Sequence, residues 1–594
     1  MATSELVGPD RLDTAEGEST ADPSEQGARR GWVAPLAFAL AVVPLIVAAV
    51  YLRVAHAAYK PQGDMALIEL MTRDVGHQWI ELGPYSRDGW NHPGPSLFYA
   101  LALPYRLLGS VSVGLHVGGL LINGVSIAGM GLIARRRGGT PLMLITLLAC
   151  ALTVRSLGAD PIRVAWNPWV TALPYGLLLF LTWAMACGER WALPGAVVVG
   201  TFVAQTHIGY VTLGLPLVVL GAVWLVVATP KGTRRRLVPP ALLAVLAGAV
   251  MWLPTLLDQV TNDPGNLGLA ARWFREGGPE HQSARTLGDG WRVVSAPYAP
   301  APEWIVGLRK LWPTAEPANL YHPRLPVMLI PVAIAAVYLI RRKVPGAVQL
   351  VSVWLVASVV GIVATGRTVG QIYFYRLGWT WLLGMTAGII VAWAGWTALA
   401  AWRPSLPRRV LVPVCLAGLA VLAVGTSVAQ VRAGEPQGHE ASMLRSLMPQ
   451  VLDRLPDGQG EVIVNGTSFG GIGLRSALLL ELERAGIPAS FVPGNFSAGR
   501  YRADDGGPVR VQLRTAMDVE IADFLDEGKQ LLAYSGSMPL EELRARAPAY
   551  QELQAARARD EAWTRDAGSA RVRGADIPPM SAAAVFIEEA PPPP

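Results

Sequence analysis

Cysteine is scarce, with three in 594 residues: Cys150, Cys187 and Cys415. Each lies in or at the edge of an apolar run. Their spacing forms neither a disulfide framework nor a metal motif, which leaves packing as their role. Charge is scarce as well. Asp, Glu, Lys and Arg make up 16% of the chain against 52% hydrophobic residues, and mean hydropathy is +0.35. That balance excludes an ordinary soluble protein of this length. No basic stripe with interleaved aromatics is present, so a nucleic-acid partner is excluded. No Asp-x-Asp pair or His/Cys cluster argues for a metal or other cofactor, and a divalent ion has no supporting motif. No internal repeat of the kind that builds inverted transporter halves is visible.

What the chain has in quantity is apolar runs of bilayer length, which takes roughly 20 residues as helix. The 20 Trp residues often sit near the ends of those runs, as interfacial belts require. Residues 1–30 are polar and acidic and read as a disordered cytoplasmic tail. Arg29 and Arg30 then precede a first span near 32–52, which puts the N-terminus inside. Further basic clusters stand at Arg135-Arg136-Arg137, Lys231 to Arg236, Arg341-Arg342-Lys343 and Arg403 to Arg409. Residues 94–109 are interrupted by Pro95, Pro104 and Arg106 and read as a re-entrant or interfacial segment. Spans then fall near 111–134, 141–157, 168–187, 191–208, 209–229, 237–257, 326–341, 346–365, 373–399 and 410–430. These about eleven crossings place every basic cluster in the cytoplasm. Parity puts three segments outside: 53–110, 258–325 and everything after 430.

The expected fold is therefore a polytopic α-helical membrane domain over 31–430, in a plasma membrane, followed by an extracytoplasmic domain over 431–560. In that second domain helical patterns near 440–455 and 474–487 alternate with strand-like runs EVIVNG, ASFVPG, VRVQLRTA and KQLLAYSG, which is an α/β signature. The run 561–594 is rich in Ala, Arg and Pro and reads as a disordered tail.

Polar residues concentrate between Tyr59 and Tyr99, just past the first span. MALIELMTRDVGH can be drawn as a helix with Leu67, Ile68, Met71 and Val75 on one face and Glu69, Arg73 and His77 on another, which fits the outer interface. Asp64 stands at its N-terminus. There it is either a cap for backbone amides or an ionised base able to accept a hydroxyl proton. Asp74 and Asp88 are reserve candidates, with the alternative of pairing Arg73 or Arg87. His92, beside Asn91, opens the stiff turn His92-Pro93-Gly94-Pro95. It can bind a phosphate, or the turn is structural only.

This arrangement resembles the GT-C superfamily of polyprenyl-phosphate-sugar-dependent glycosyltransferases, which includes protein O-mannosyltransferases, aminoarabinose transferases and arabinofuranosyltransferases. Those enzymes carry an acidic residue in the first outside loop, where Asp64 stands. Many carry a Lys-Pro-Pro-Leu-x-Tyr type segment further along, to which His92 to Tyr99 is similar. Two departures are plain: Met65 follows Asp64 where an Asp-Glu pair is common, and Gly94 separates the prolines with His92 in the lysine position.

The resemblance implies transfer at the outer face from a polyprenyl-phosphate sugar donor to a cell-envelope glycan, lipid or protein acceptor, among membrane lipids. It implies inversion, with Asp64 as base. The leaving phosphate then needs a cationic partner. Arg376, flanked by Tyr373 and Tyr375, and Arg367 are placed for it by topology, with His92. Arg376 has the alternative of an acidic partner inside the bundle. Asp88, Arg163, Asn167 and His207, with Gln205, are candidates to line the acceptor path; a polar loop or packed side chains are the plainer readings. High Ala, Gly, Arg and Pro content is that of a GC-rich genome and points to an arabinose- or mannose-type donor. A flippase or transporter of lipid-linked saccharides is the alternative. It is disfavoured because ionisable residues crowd one outside loop instead of the bilayer midplane. In the C-terminal domain, glycines of Gly466 to Gly473 lie between a strand and a helix, where an anion can sit.

Overall fold

A computed structural model describes residues 31–86, 88–276, 286–307, 325–369, 372–404, 407–456, 460–466, 469–492, 497–502, 511–549, 551–552 and 582–589. The expected 1–30 tail, Arg87, Thr467-Ser468 and most of the expected 561–594 tail lie outside these residues.

Among the described residues, eight helices are long and apolar enough to cross a membrane. They begin with α1 (Val33–Ala55), and two shorter apolar helices, Ala192–Thr206 and Leu329–Arg341, accompany them. One of the eight, Val113–Leu157, has 45 residues. As a straight rod it would run ~68 Å, about twice the hydrocarbon thickness. Instead it folds back at Gly138-Gly139, where Gly139 has φ +68°. A Cβ on Gly131 would lie 2.8 Å from Leu147, residues that a straight helix would separate by about 24 Å. With this helix taken as two crossings and the shorter helices included, the described residues supply the expected eleven. At the turn, Arg136 pairs with Glu189 at 2.5 Å and Arg137 pairs with the same carboxylate. The first basic cluster and the 187–191 link thus share one end of the bundle, as parity requires.

The other end carries the polar segment. There α2 (Asp64–Asp74) runs between the spans and the C-terminal domain, and α3 (Ser96–Leu107) packs against α2 and the spans. At 12 residues, about 18 Å, α3 is too short to cross. The expected lipid-interface position of α2 needs correction, because both its faces are buried in protein. Met65, Ile68 and Met71 join a cluster with Phe98, Leu101, Trp169 and Val170. Ala66, Leu67 and Leu70 join the core of the C-terminal domain with Leu474, Leu478 and Phe491. Glu69, expected on a polar face, is fully buried: it accepts from Tyr105 at 2.7 Å and pairs with Arg484.

Among the described residues, the C-terminal domain has a five-stranded sheet in the order β2-β1-β3-β5-β4. Its strands are β1 (Val462–Gly466), β2 (Ala489–Phe491), β3 (Val511–Met517), β4 (Gln530–Gly536) and β5 (Ala582–Glu589). The four strands read from sequence are present. Helix Phe469–Arg484 is the crossover that makes β1 and β2 parallel. The fifth strand corrects the expected 561–594 tail. It lies antiparallel between β3 and β4. Ala583 and Val585 face one core cluster, Ala582, Ala584 and Phe586 the other. A strand buried on both faces has no polar alternation to announce it, and Ala-rich sequence hides it further.

Candidate active site

Gly63 sets the start of α2. Its φ/ψ of +55°/−131° suits only glycine, and its N–H donates to the carbonyl of Gly473 at 3.0 Å. Asp64 is thus the first helical residue. It is not the cap: Gly63 holds that position, and no side chain caps the helix. The Asp64 carboxylate is half-buried and accepts the indole N–H of Trp166 at 2.7 Å. Burial pushes its pKa above the usual carboxylate range, and the Trp166 bond pulls it partly back. An acceptor-only carboxylate with a raised pKa and one oxygen held leaves the other oxygen for a substrate proton.

Trp166 connects Asp64 to an arginine. Its ring lies 4.7 Å from Tyr375 and 4.9 Å, edge-on, from Trp169. Tyr375 stacks on Tyr373 at 5.4 Å. The Arg376 guanidinium lies 5.0 Å from the Tyr373 ring and 5.6 Å from that of Tyr375. A short 3-10 turn, Phe374–Leu377, presents this residue just before the helix Gly378–Trp402. Among the described residues no carboxylate pairs with Arg376, and its Nε is buried without a hydrogen-bond partner. Two tyrosine faces screen the charge without neutralising it.

His92 and His207 close the far side, with ring centroids 4.6 Å apart. Burial and the Arg376 charge push His92 down to about 3, and burial, His92 and Arg376 push His207 well below its usual value. Both imidazoles are therefore held in the neutral form at physiological pH. His92 Nδ1 accepts the N–H of Ile208 at 3.2 Å, and His207 Nδ1 accepts that of Gly209 at 3.2 Å. Each ring therefore carries its proton on Nε2 and is a neutral donor.

The Pro-Gly-Pro departure has a steric cause. A Cβ on Gly94 would lie 2.5 Å from both Gln205 Cδ and Thr255 Oγ1. Gln205 itself is structural: it accepts from the Ser96 amide at 3.3 Å and donates to the Met251 carbonyl at 2.8 Å. Gly94→Ala should destabilise the protein by about 1–3 kcal/mol through overpacking. An unchanged unfolding midpoint in detergent would show that the turn can yield.

The other sequence candidates divide. Asn167 stays beside the site, donating to the Thr206 carbonyl at 3.4 Å and so joining the Trp166 and His207 turns. Arg163 does not line a path. It is buried, bonds Asp160 at 2.7 and 2.9 Å, and reaches the carbonyls of Gln430 and Gly434 at 3.3 and 2.8 Å at the end of helix Val412–Arg432. Asp88 is taken up in a local turn with Ser86. Arg367 is exposed at the end of helix Ala347–Gly366. Asp74 pairs with Arg502, and Arg73 lies instead against Glu483; Arg87 is outside the described residues. Trp166 went unread in the sequence, because a Trp near a span end reads as interfacial belt. Among the described residues no group of three or more His, Cys, Asp and Glu converges as a metal site.

No family model matches this chain, and no curated protein matches it. Solved structures do. ArnT from Cupriavidus metallidurans in the apo state is similar with a TM-score of 0.52 and 15% identity, over 85% of this chain and 96% of that one. The same protein bound to undecaprenyl phosphate matches with a TM-score of 0.50, 15% identity and the same coverage. At this identity the likeness is one of architecture, and at 85% of this chain it reaches beyond the membrane part: the chain shares the fold of these structures.

Proposed function

We propose that this protein is a membrane glycosyltransferase that moves a sugar from a polyprenyl-phosphate carrier to a hydroxyl of a cell-envelope acceptor. The observation that carries the reading is the continuous chain Asp64–Trp166–Tyr375–Arg376, closed by His92 and His207. A hydrogen-bonded carboxylate with raised pKa sits at one end and an arginine without a carboxylate partner at the other. That an ArnT structure of the same fold is bound to undecaprenyl phosphate supports the donor class.

In this reading the acceptor oxygen attacks the anomeric carbon as the carbon–oxygen bond to phosphate breaks. The hydroxyl proton passes to Asp64, and the electron pair leaves on the phosphate. One displacement inverts the anomeric centre. The transition state has oxocarbenium character, as in glycoside hydrolysis. Arg376 stabilises the charge arriving on phosphate, helped by the Nε2–H groups of His92 and His207. The aromatic wall of Trp166, Tyr373 and Tyr375 excludes water and offers faces for the sugar and first isoprene units. The N-terminus is cytoplasmic in this reading and the α/β domain extracytoplasmic, where nucleotide sugars do not reach.

The test is turnover by the purified full chain on a panel of decaprenyl-phosphate sugars, arabinose- and mannose-type included. Conversion of one donor with release of decaprenyl phosphate is the expected result. No release from any donor, with intact lipid binding, would leave a carrier-binding protein and not a transferase.

A further inference from the structure

One short strap of the α/β domain, Gly499-Arg500-Tyr501-Arg502, grips both halves of this site from behind. Arg502 is buried and uses its whole guanidinium. Its two terminal nitrogens bond Asp74 at 2.5 and 3.0 Å, while Nε and Nη2 bond Glu483 at 2.5 and 3.0 Å. The Tyr501 hydroxyl donates to the same Asp74 carboxylate. Asp74 is the last residue of α2, whose first is Asp64.

Arg500 turns the other way. Its Nε donates to Asp258 Oδ1 at 2.9 Å. Asp258 is buried in the last turns of helix Val238–Thr261, and its Oδ2 accepts the backbone N–H of Asn266 at 2.6 Å. The Asn266 side chain in turn pairs with the backbone of Asn91, accepting its N–H at 2.7 Å and donating to its carbonyl at 2.8 Å. The next residue is His92, whose carbonyl lies 3.4 Å from the same Asn266 amide. Two hydrogen-bonded routes thus start within three residues of one strap. One ends on the helix that presents Asp64, the other on the turn that presents His92.

We propose, resting on the transfer reading above, that Arg500 and Arg502 are positioning residues for the transfer. They lock the base and the phosphate-side turn into one rigid unit, so that the α/β domain sets the distance over which acceptor and donor meet. The chemistry explains why a cation stands at both places. A planar fork can hold a carboxylate while reaching a second acceptor, as Arg502 does between Asp74 and Glu483. Asp258, stripped of Arg500, would be a buried charge with only neutral donors around it. Transfer between two bound partners is sensitive to misplacement of about 1 Å.

The experiment uses the full chain in nanodiscs, with Arg500→Gln and the charge-retaining Arg500→Lys. It reads amide hydrogen exchange over residues 88–94 beside transfer kinetics. Arg500→Gln should speed exchange over 88–94 by roughly tenfold and lower kcat by roughly 10- to 100-fold, with donor KM within about threefold. Arg500→Lys should recover most of both and remains informative if the Gln variant fails to fold. Exchange over 88–94 unchanged in a folded Arg500→Gln protein overturns the relay, whatever the turnover. Faster exchange with undiminished kcat overturns its positioning role. Faster exchange in a protein that transfers no sugar even as wild type leaves the relay standing and overturns the transfer reading instead.

Discussion

Asp64→Asn should cost roughly a hundred- to ten-thousand-fold in turnover while leaving carrier binding and thermal stability near wild type. The amide keeps the size of the carboxylate and one oxygen to accept the Trp166 N–H, so the fold has no reason to change. What it loses is the ability to take a proton. The pH profile adds a second check. Burial holds the Asp64 pKa above the usual carboxylate range, and the base must be ionised to work. Activity should therefore be present above that raised pKa and fall as pH drops through it. Trp166→Phe removes the bond that favours the ionised form, so its acid limb should move to higher pH. An Asn variant with wild-type turnover, or a Phe variant whose acid limb moves down, would remove Asp64 from the reaction.

Replacing Arg376 should hurt both binding and rate. Arg376→Met keeps much of the side chain's length and apolar contact with Tyr373 and Tyr375 but removes the charge. It should lower kcat by roughly 10²–10³-fold, the loss typical when one donor to a developing oxyanion is deleted, about 2.7–4 kcal/mol. Titration with undecaprenyl phosphate should also show weaker binding. Arg376→Lys should recover only part, since an ammonium restores a point charge but neither the planar fork nor the stacking on two rings. Undiminished carrier binding by the Met variant would move the phosphate elsewhere. The uncharged histidines would then have to be tested as its main donors.

These two residues were legible for the same reason: each breaks a local pattern. Asp64 opens a polar run directly after a membrane span, and Arg376 sits where lipid-facing sequence should carry no charge. The spans were legible from length and apolarity, and clusters such as Arg135-Arg136-Arg137 marked the turn between two of them, now seen beside Glu189. What sequence does not contain is the meeting of residues far apart in the chain. Nothing local to Trp166 says that its indole reaches Asp64, 102 positions away. Nothing local to His92 says that its ring will be dry, uncharged and held by the Ile208 amide. Helix α2 misled for a related reason. Its residues divide between two hydrophobic partners, so a helix enclosed by protein looked like one lying on lipid. Arg163 misled in the opposite sense, since a polar side chain on an outer turn can serve only to hold the carbonyls at the end of a distant helix.

The place of β5 in the sheet fixes an order of assembly. Strands β3 and β4 do not pair with each other; both pair with β5, which is synthesised 46 positions after the end of β4. At translation rates of roughly 5–20 residues per second, the membrane helices are inserted well before that strand leaves the ribosome. Until it has been made, the α/β core that clasps α2 is open on one side. The support that holds α2, and with it Asp64, is therefore completed only when synthesis has passed Glu589.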